Sequence, residues 1–434
     1  MRKFIITTLR VSLLSLFLFI LPNTASSAGF DDGYTYCRPM TMTAGGTSGG
    51  VATTTTSGFP LVATSTIADL KHADHGGKIE LFNTASTTPT DVMITNGTDC
   101  NSDPGTTIDF FFESYASTTG AFVLWAQAPD ISSTTAKTLL MYYGNGSATD
   151  QSNERAVFDA QGEAGVWTLG HDGVATTTVP DFRDSSPNTN DGTSQNMNST
   201  NLVDGQMDGA LDFDGIDDNV TVNDSSSLDI TGALTISTWI YINDNVSARF
   251  WSSVNKNEGA CGSRSYRMEI GVNNGSDTVS MHIYNDLCGS AVSASVNNVI
   301  TANTWTHIVG VYQPSDFIRL YVNGALSAEN ISSIPASIAD SSSNLVLGEI
   351  VSGQLQAYTG RIDDVRVYNR GIHSMDIKTI YNNTLDSTTF WTFGAEETQS
   401  GGGGEDTTPS RVLRLFEGFT VKFISGRVIL HQKQ

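Results

Sequence analysis

Over most of the chain apolar and polar residues alternate at a period of two, and the alternation is cut at short intervals by Gly, Asn, Asp and Ser. Successive side chains of a strand face opposite sides of a sheet, so this pattern predicts strands joined by turns. In Gly209–Val222 (GALDFDGIDDNVTV), Ala210, Asp212 and Asp214 alternate with Leu211 and Phe213 before a Gly-Ile-Asp-Asp turn returns to Val220 and Val222. A strand, a tight acidic turn and a second strand are expected there. Gly360–Arg370 repeats the chemistry, with Ile362, Val365 and Val367 beside Asp363 and Asp364. Two acidic strand ends predict a cation site or a ligand rim. Further β-like runs lie at Lys78–Phe82, Thr107–Phe112, Gly120–Gln127 and Thr138–Tyr143. A helical signal stands at Ser374–Tyr381, with Ser374 as its expected cap.

Together with Leu234–Tyr241 (LTISTWIY), Trp305–Tyr312 (WTHIVGVY) and Leu320–Gly324 (LYVNG), the two acidic stretches resemble the LamG-like jelly roll of the concanavalin A-like lectin and glucanase superfamily. The resemblance runs from about Phe158 to about Gly394 and implies a sandwich of two antiparallel sheets. It does not imply one activity, since lectins, adhesive modules and glycosidases share that fold. The loop Val179–Gly192 (VPDFRDSSPNTNDG) is similar to the Asp/Asn-rich loop that opens many such domains, with Pro187 where Gly is usual. Upstream, Tyr36–Met40, Phe59–Leu61, Phe112–Tyr115, Leu124–Trp125 and Tyr142–Asn145 (YYGN) resemble the bacterial domain of unknown function 2341; Lys78 departs from the acidic residue usual there. The expected class is all-β: a small N-terminal β-sandwich at 29–155, then the jelly roll at 156–396.

The ends of the chain and its charge add to this. Residues 1–28 carry Arg2, Lys3 and Arg10, an apolar Val11–Leu21 stretch too short to span a bilayer, and small residues Ser26 and Ala28, which together predict a cleaved secretory signal. Its removal leaves 20 basic against 45 acidic residues, a formal charge of −25. Nucleic acid and anionic membrane are therefore excluded as expected partners, and a secreted or cell-envelope location with no transmembrane segment after cleavage is expected. A Gly-rich linker is predicted at 397–410. Residues 411–434 form a basic, amphipathic β-type tail, either an attachment element or an edge strand folded back on the acidic body.

Four cysteines in an exported chain predict disulfides. Tyr266–Ile270 and Thr278–Tyr284 read as a hairpin, and Cys261 and Cys288 lie symmetrically about its turn, which pairs them and leaves Cys37 for Cys100. For calcium, a hard cation that takes 6–8 oxygens, the candidate ligands are Asp184, Asn188 and Asn190 of the opening loop with Asp363; related jelly rolls imply the same early-loop to late-strand tie. For a glycan or another surface macromolecule, the candidate stacking platform is Trp251, Tyr266, Tyr284 and Tyr358, with core or loop packing the competing role for Trp251. Trp239 and Trp305 are assigned to the core and His307 to a strand. A non-catalytic binding or adhesion protein is expected. The alternatives are a glycoside hydrolase or lyase using Asp212, Asp214 and Asp217, and a structural envelope component. Against catalysis stand the short reach of Asp, the break at Gly215 and the lack of adjoining Trp residues.

Overall fold

The computed structural model describes residues 29–434 except 46–48, 56–57, 84–87, 171–180, 244–248, 258, 260, 274–275, 350–357, 400–412, 417–418, 425–426 and 433–434. The predicted export signal and most of the predicted linker lie outside the described residues. The residues up to Glu397 form one compact unit and Thr398–Gln434 a second.

The larger sandwich faces two eight-stranded antiparallel sheets against each other. One sheet runs in the order Asp181–Phe182, Gly192–Gln195, Asn219–Val222, Leu345–Leu347, Arg249–Asn257, Arg264–Asn273, Ser276–Ile283, Val292–Asn297. The other runs Leu202–Asp204, Gly209–Asp214, Thr359–Tyr368, Leu234–Ile242, Trp305–Gln313, Phe317–Val322, Ala325–Asn330, with Glu163–Trp167 pairing to Thr359–Tyr368. Their inner faces meet in one core: Leu234, Ile236, Ile240, Ile308, Leu320 and Ile362 from one side, Trp251, Met268, Ile270, Val279 and Met281 from the other. Each such side chain, fully removed from water, contributes about 1.5–3 kcal/mol. The acidic turn after Gly209–Asp214 does not close a hairpin. Gly209–Asp214 pairs with Leu202–Asp204 and Thr359–Tyr368, whereas Asn219–Val222 pairs in the opposite sheet, so the turn is a corner between sheets.

The smaller sandwich opposes a sheet ordered Trp391–Phe393, Tyr36–Met42, Lys137–Tyr143, Val92–Thr95 and a three-stranded sheet ordered Phe59–Thr66, Ala121–Ala128, Phe110–Ala116. Trp391–Phe393, expected to close the jelly roll, instead pairs with Met40–Met42 of the first strand. The core of this sandwich, with Phe59, Leu61, Phe110, Phe112, Leu139 and Met141, continues into Val309, Val311, Tyr321 and Tyr368 on the outer face of the larger sandwich. It also takes in Ile377 and Ile380 of the helix Ser374–Leu385. That helix is capped by His373, whose Nδ1 accepts from the Met375 amide, and not by Ser374, which is its first helical residue.

In the second unit Leu413–Phe416, Phe419–Ile424 and Arg427–Gln432 form a three-stranded antiparallel meander. Cys37 is bonded to Cys100 and Cys261 to Cys288. The second bridge follows from the register: Asn273 pairs with Ser276 and Arg267 with His282, and Cys261 and Cys288 are centred on the same point beyond the open end of the hairpin.

Candidate functional site

Alternation along Leu234–Ile242 places Ile236, Ile240 and Ile242 in the inner core and Thr235, Ser237, Trp239 and Tyr241 on the outer face. Directly paired residues of neighbouring strands share a face. Asp212 pairs with Arg361, Arg361 with Tyr241, and Tyr241 with Trp305. Four adjacent strands thus each contribute one side chain to a single outward row. All four are partly exposed, and Asn243 and Asn303 beside them are open to solvent. The Tyr241 and Trp305 rings lie 5.5 Å apart at 60°, and the Arg361 guanidinium sits 5.2 Å from the Tyr241 centroid. Burial of part of the Asp212 carboxyl raises its pKa, against the opposing pull of Arg361 and a bond from Asn243.

The next row on the same face, Asp363, Trp239 and His307, is sealed. Trp239 stacks 5.8 Å from Tyr381 of the helix and donates from Nε1 to Thr384 Oγ1 at 3.0 Å. His307 shares a 2.9 Å hydrogen bond with Ser237, and burial lowers its pKa to about 3. The paired acids Asp363 and Asp364 are not an exposed strand end. They lie in mid-strand, where the register of Thr359–Tyr368 against Leu234–Ile242 shifts and Asp364 adopts φ 45°. Asp364 is the extra residue of a bulge, which leaves Ile362 and Val365 inward and Asp363 and Arg366 outward. The fully buried Arg366 donates from Nε to Asp364 Oδ1 at 2.7 Å and lies 4.8 Å from the Trp125 ring of the smaller sandwich.

Residues 214–378 match the family described as the concanavalin A-like lectin/glucanases superfamily, and residues 89–164 match the domain of unknown function 2341. The chain carries a concanavalin A-like domain preceded by a DUF2341 domain. No curated protein matches it in sequence. Among solved structures, the receptor-binding domain of botulinum neurotoxin mosaic serotype C/D is 13% identical, with 51% of this chain and 50% of that chain covered at a TM-score of 0.38. The binding domain of Paraclostridial Mosquitocidal Protein 1 is 17% identical, with 50% and 52% covered at 0.38. The chain spans about half the length of these structures.

Within the concanavalin A-like domain the expected aromatic platform is not on the surface. Trp251, Tyr266 and Tyr358 are at most 1% exposed and Tyr284 is 6% exposed. Trp251 and Tyr358 pack edge to face at 5.5 Å inside the core, and Tyr266 donates its hydroxyl to the Leu228 carbonyl. They fall on inward positions, which composition alone does not distinguish from outward ones. Trp305, assigned to the core, is partly exposed instead. Tyr241 and Arg361 were not anticipated; the signal was their phase, since Tyr241 continues the outward series Thr235, Ser237, Trp239.

The expected calcium ligands Asp184, Asn188 and Asn190 lie together in the opening loop, but their side chains are taken up there by hydrogen bonds. Asp184 is fully buried and accepts from the Val166, Ser186 and Asn190 amides and the Ser186 hydroxyl at 2.8–2.9 Å. Asn188 donates to the Glu163 carbonyl, and Asn190 donates to the Ala164 carbonyl and Ser227 while accepting from Ser225. These side chains knit the opening loop to Glu163–Trp167. Asp363 belongs to the outer face, where it accepts from the Gln206 and Met207 amides. Among the described residues, the acidic group that a divalent cation can bridge is Asp214, Asp217 and Asp218, whose carboxylate oxygens lie within 4.8 Å of one another. Asp214 also accepts from the Ile216 amide, and Asp218 from the Asp214 amide and Asn201. Of the proposed catalytic trio, Asp212 and Asp214 share the outward face of one strand two positions apart, and Asp214 also meets Asp217 at the corner.

Proposed function

We propose that this is a non-catalytic binding protein of the cell exterior whose concanavalin A-like domain takes a glycan across the Asp212–Arg361–Tyr241–Trp305 row. One observation carries the reading: the smaller sandwich and the helix cover the middle of the outer face and leave this end open, where two aromatic rings remain accessible beside a carboxylate, a guanidinium and two amides. Sugar rings stack their C–H faces on such aromatics while Asp, Asn and Arg hold the hydroxyls. An open row fits a polymer lying along a surface better than a reaction that must exclude water. Glycoside cleavage needs two carboxyls about 5–9.5 Å apart on either side of a bound sugar, whereas Asp214 is taken up at the corner, where it accepts from the Ile216 amide and lies against Asp217 and Asp218. Binding rather than turnover is the assignment. The corner Asp214/Asp217/Asp218 is the candidate for a structural divalent cation, calcium by the chemistry of its oxygens.

The test is a glycan array followed by calorimetry on the full chain, with the same glycans assayed for cleavage. Trp305→Ala is expected to weaken binding about tenfold without changing the thermal midpoint appreciably, because stacking on one aromatic contributes about 0.5–1.5 kcal/mol beyond its area. Unaltered binding by Trp305→Ala, or cleavage abolished by Asp214→Asn, would overturn the assignment.

A further inference from the structure

A second site lies on the same outer face, at its far strands. A groove of about 580 Å³ is lined by Arg319, Tyr321 and Leu326 of the sheet, Met375 and Lys378 of the helix, and Ala52 of the segment after the first strand of the smaller sandwich. The register explains the floor: Tyr321 pairs with Leu326 and Arg319 with Glu329, all on outward positions. Ala52 forms a wall because its amide donates to Thr379 Oγ1 of the helix at 2.9 Å. The groove therefore exists only where the two sandwiches meet.

Arg319 and Lys378, against the one carboxylate of Glu329, give the groove the opposite sign to the chain as a whole, which carries a formal −22. Arg319 donates Nε to Glu329 at 2.6 Å and stacks at 3.8 Å on Phe317, which holds the plane of its guanidinium. Lys378 has its Nζ 4.6 Å from the Tyr381 ring and no carboxylate partner among the described residues. Beside these cations stand the Tyr321 hydroxyl, Ser374 and an aliphatic surface, with Leu326 53% and Met375 49% exposed. Two cations, the Tyr321 and Ser374 hydroxyls and the apolar side chains of Leu326 and Met375 border one groove, a set that matches a ring with a carboxylate at one edge and a C–H face. We propose that this groove binds a carboxylate-bearing saccharide of the uronic acid class, through Arg319 and Lys378, independently of the aromatic row. A lone phosphate satisfies the cations but leaves Leu326 and Met375 in water. The proposal extends the glycan-binding reading to a second site of different charge preference and does not require the first.

The experiment is calorimetry of the full chain with oligoglucuronate, the matching neutral oligoglucoside, inorganic phosphate and a poly-glutamate peptide. Oligoglucuronate is expected to bind more tightly than the other three and to weaken as salt rises from 50 to 500 mM. Lys378→Gln and Arg319→Gln are each expected to lose about tenfold in oligoglucuronate affinity, from one charged hydrogen bond, while Lys378→Arg retains it. All three substitutions lie at the surface, so unchanged thermal midpoints confirm folding. Trp305→Ala is expected to leave oligoglucuronate binding intact, which separates this site from the aromatic row. Equal affinity for the neutral oligomer, or full affinity in Lys378→Gln, overturns the site. Equal affinity for phosphate or poly-glutamate overturns its saccharide class.

Discussion

Two neighbouring rows on one sheet face use nearly the same residues and have opposite fates. Asp212, Arg361, Tyr241 and Trp305 stay accessible, whereas Asp363, Trp239 and His307, one row further along the same strands, are buried under the helix and the smaller sandwich. An acid beside aromatics is a binding surface in the first row and an internal polar layer in the second. What separates them is coverage by a second domain, a property of tertiary assembly and not of either strand.

The contrast is broken most severely at Trp239. Trp239→Ala leaves a cavity against Tyr381 and His307 and frees the Thr384 hydroxyl, so a loss of about 3–5 kcal/mol is expected in urea unfolding. Trp305→Ala, two residues away in register, is expected to cost less than about 1 kcal/mol; equal losses would mean that both rows are sealed. Arg366→Ala strands the buried Asp364 carboxylate and is expected to cost about 3–5 kcal/mol, with Arg366→Met costing less because a neutral side chain refills the space.

Acidity offers a subtler contrast. Glu113 of the smaller sandwich is buried, accepts from Trp125 Nε1 at 2.7 Å, and has its pKa raised from 4.5 to about 8 by burial and by the nearby Asp208 and Asp364. The native state holds that proton more tightly than the unfolded chain. Its contribution is therefore complete below pH 4.5 and lost as pH rises to about 8. His307, lowered from 6.5 to about 3, acts in the opposite sense: its contribution is present above pH 6.5 and lost as pH falls toward 3. Glu113→Gln is accordingly expected to flatten the decline of unfolding free energy between pH 4.5 and 8, on the order of a few kcal/mol. An unchanged slope would mean that Glu113 is ionised in the native state. The smallest effect is expected at the exposed corner, where Asp217→Asn changes stability by about 0.5 kcal/mol or less. A rise in thermal midpoint with millimolar calcium, abolished by that substitution, would mark the corner as a cation site; a rise that persists would place the cation elsewhere.

Much of the sandwich architecture was legible in period-two alternation, as were the disulfide Cys261–Cys288, from hairpin symmetry, and the hydrogen-bonded strand position of His307. The site was read less well, for a physical reason. Trp251, Tyr266 and Tyr358 have the residue types of a sugar platform, but inward phase buries them in the core. Trp305 has the same type with outward phase. Phase is readable along Leu234–Ile242, yet it says only which face a residue occupies, and whether that face is wet depends on where Phe59–Thr66 and Ser374–Leu385 settle. Asp363–Asp364 was misread as a rim because paired acids suggest an exposed strand end, whereas a bulge in mid-strand accommodates them here. Asp184 was misread as a cation ligand because the amides that saturate it come from main chain, which leaves no trace in residue types.

The pairing of Trp391–Phe393 with Met40–Met42 ties the order of synthesis to the order of folding. A chain that emerges N-terminus first presents Tyr36–Met42 some 350 residues before its neighbour arrives. Until then one edge of the first sheet, and the apolar positions Met40 and Met42, wait without their partner. Closure of such distant contacts is slow and leaves an unpaired strand available to other molecules. The smaller sandwich is thus the first part to be made and the last to be finished, and a chain interrupted anywhere before Trp391 carries an open sheet edge at its beginning.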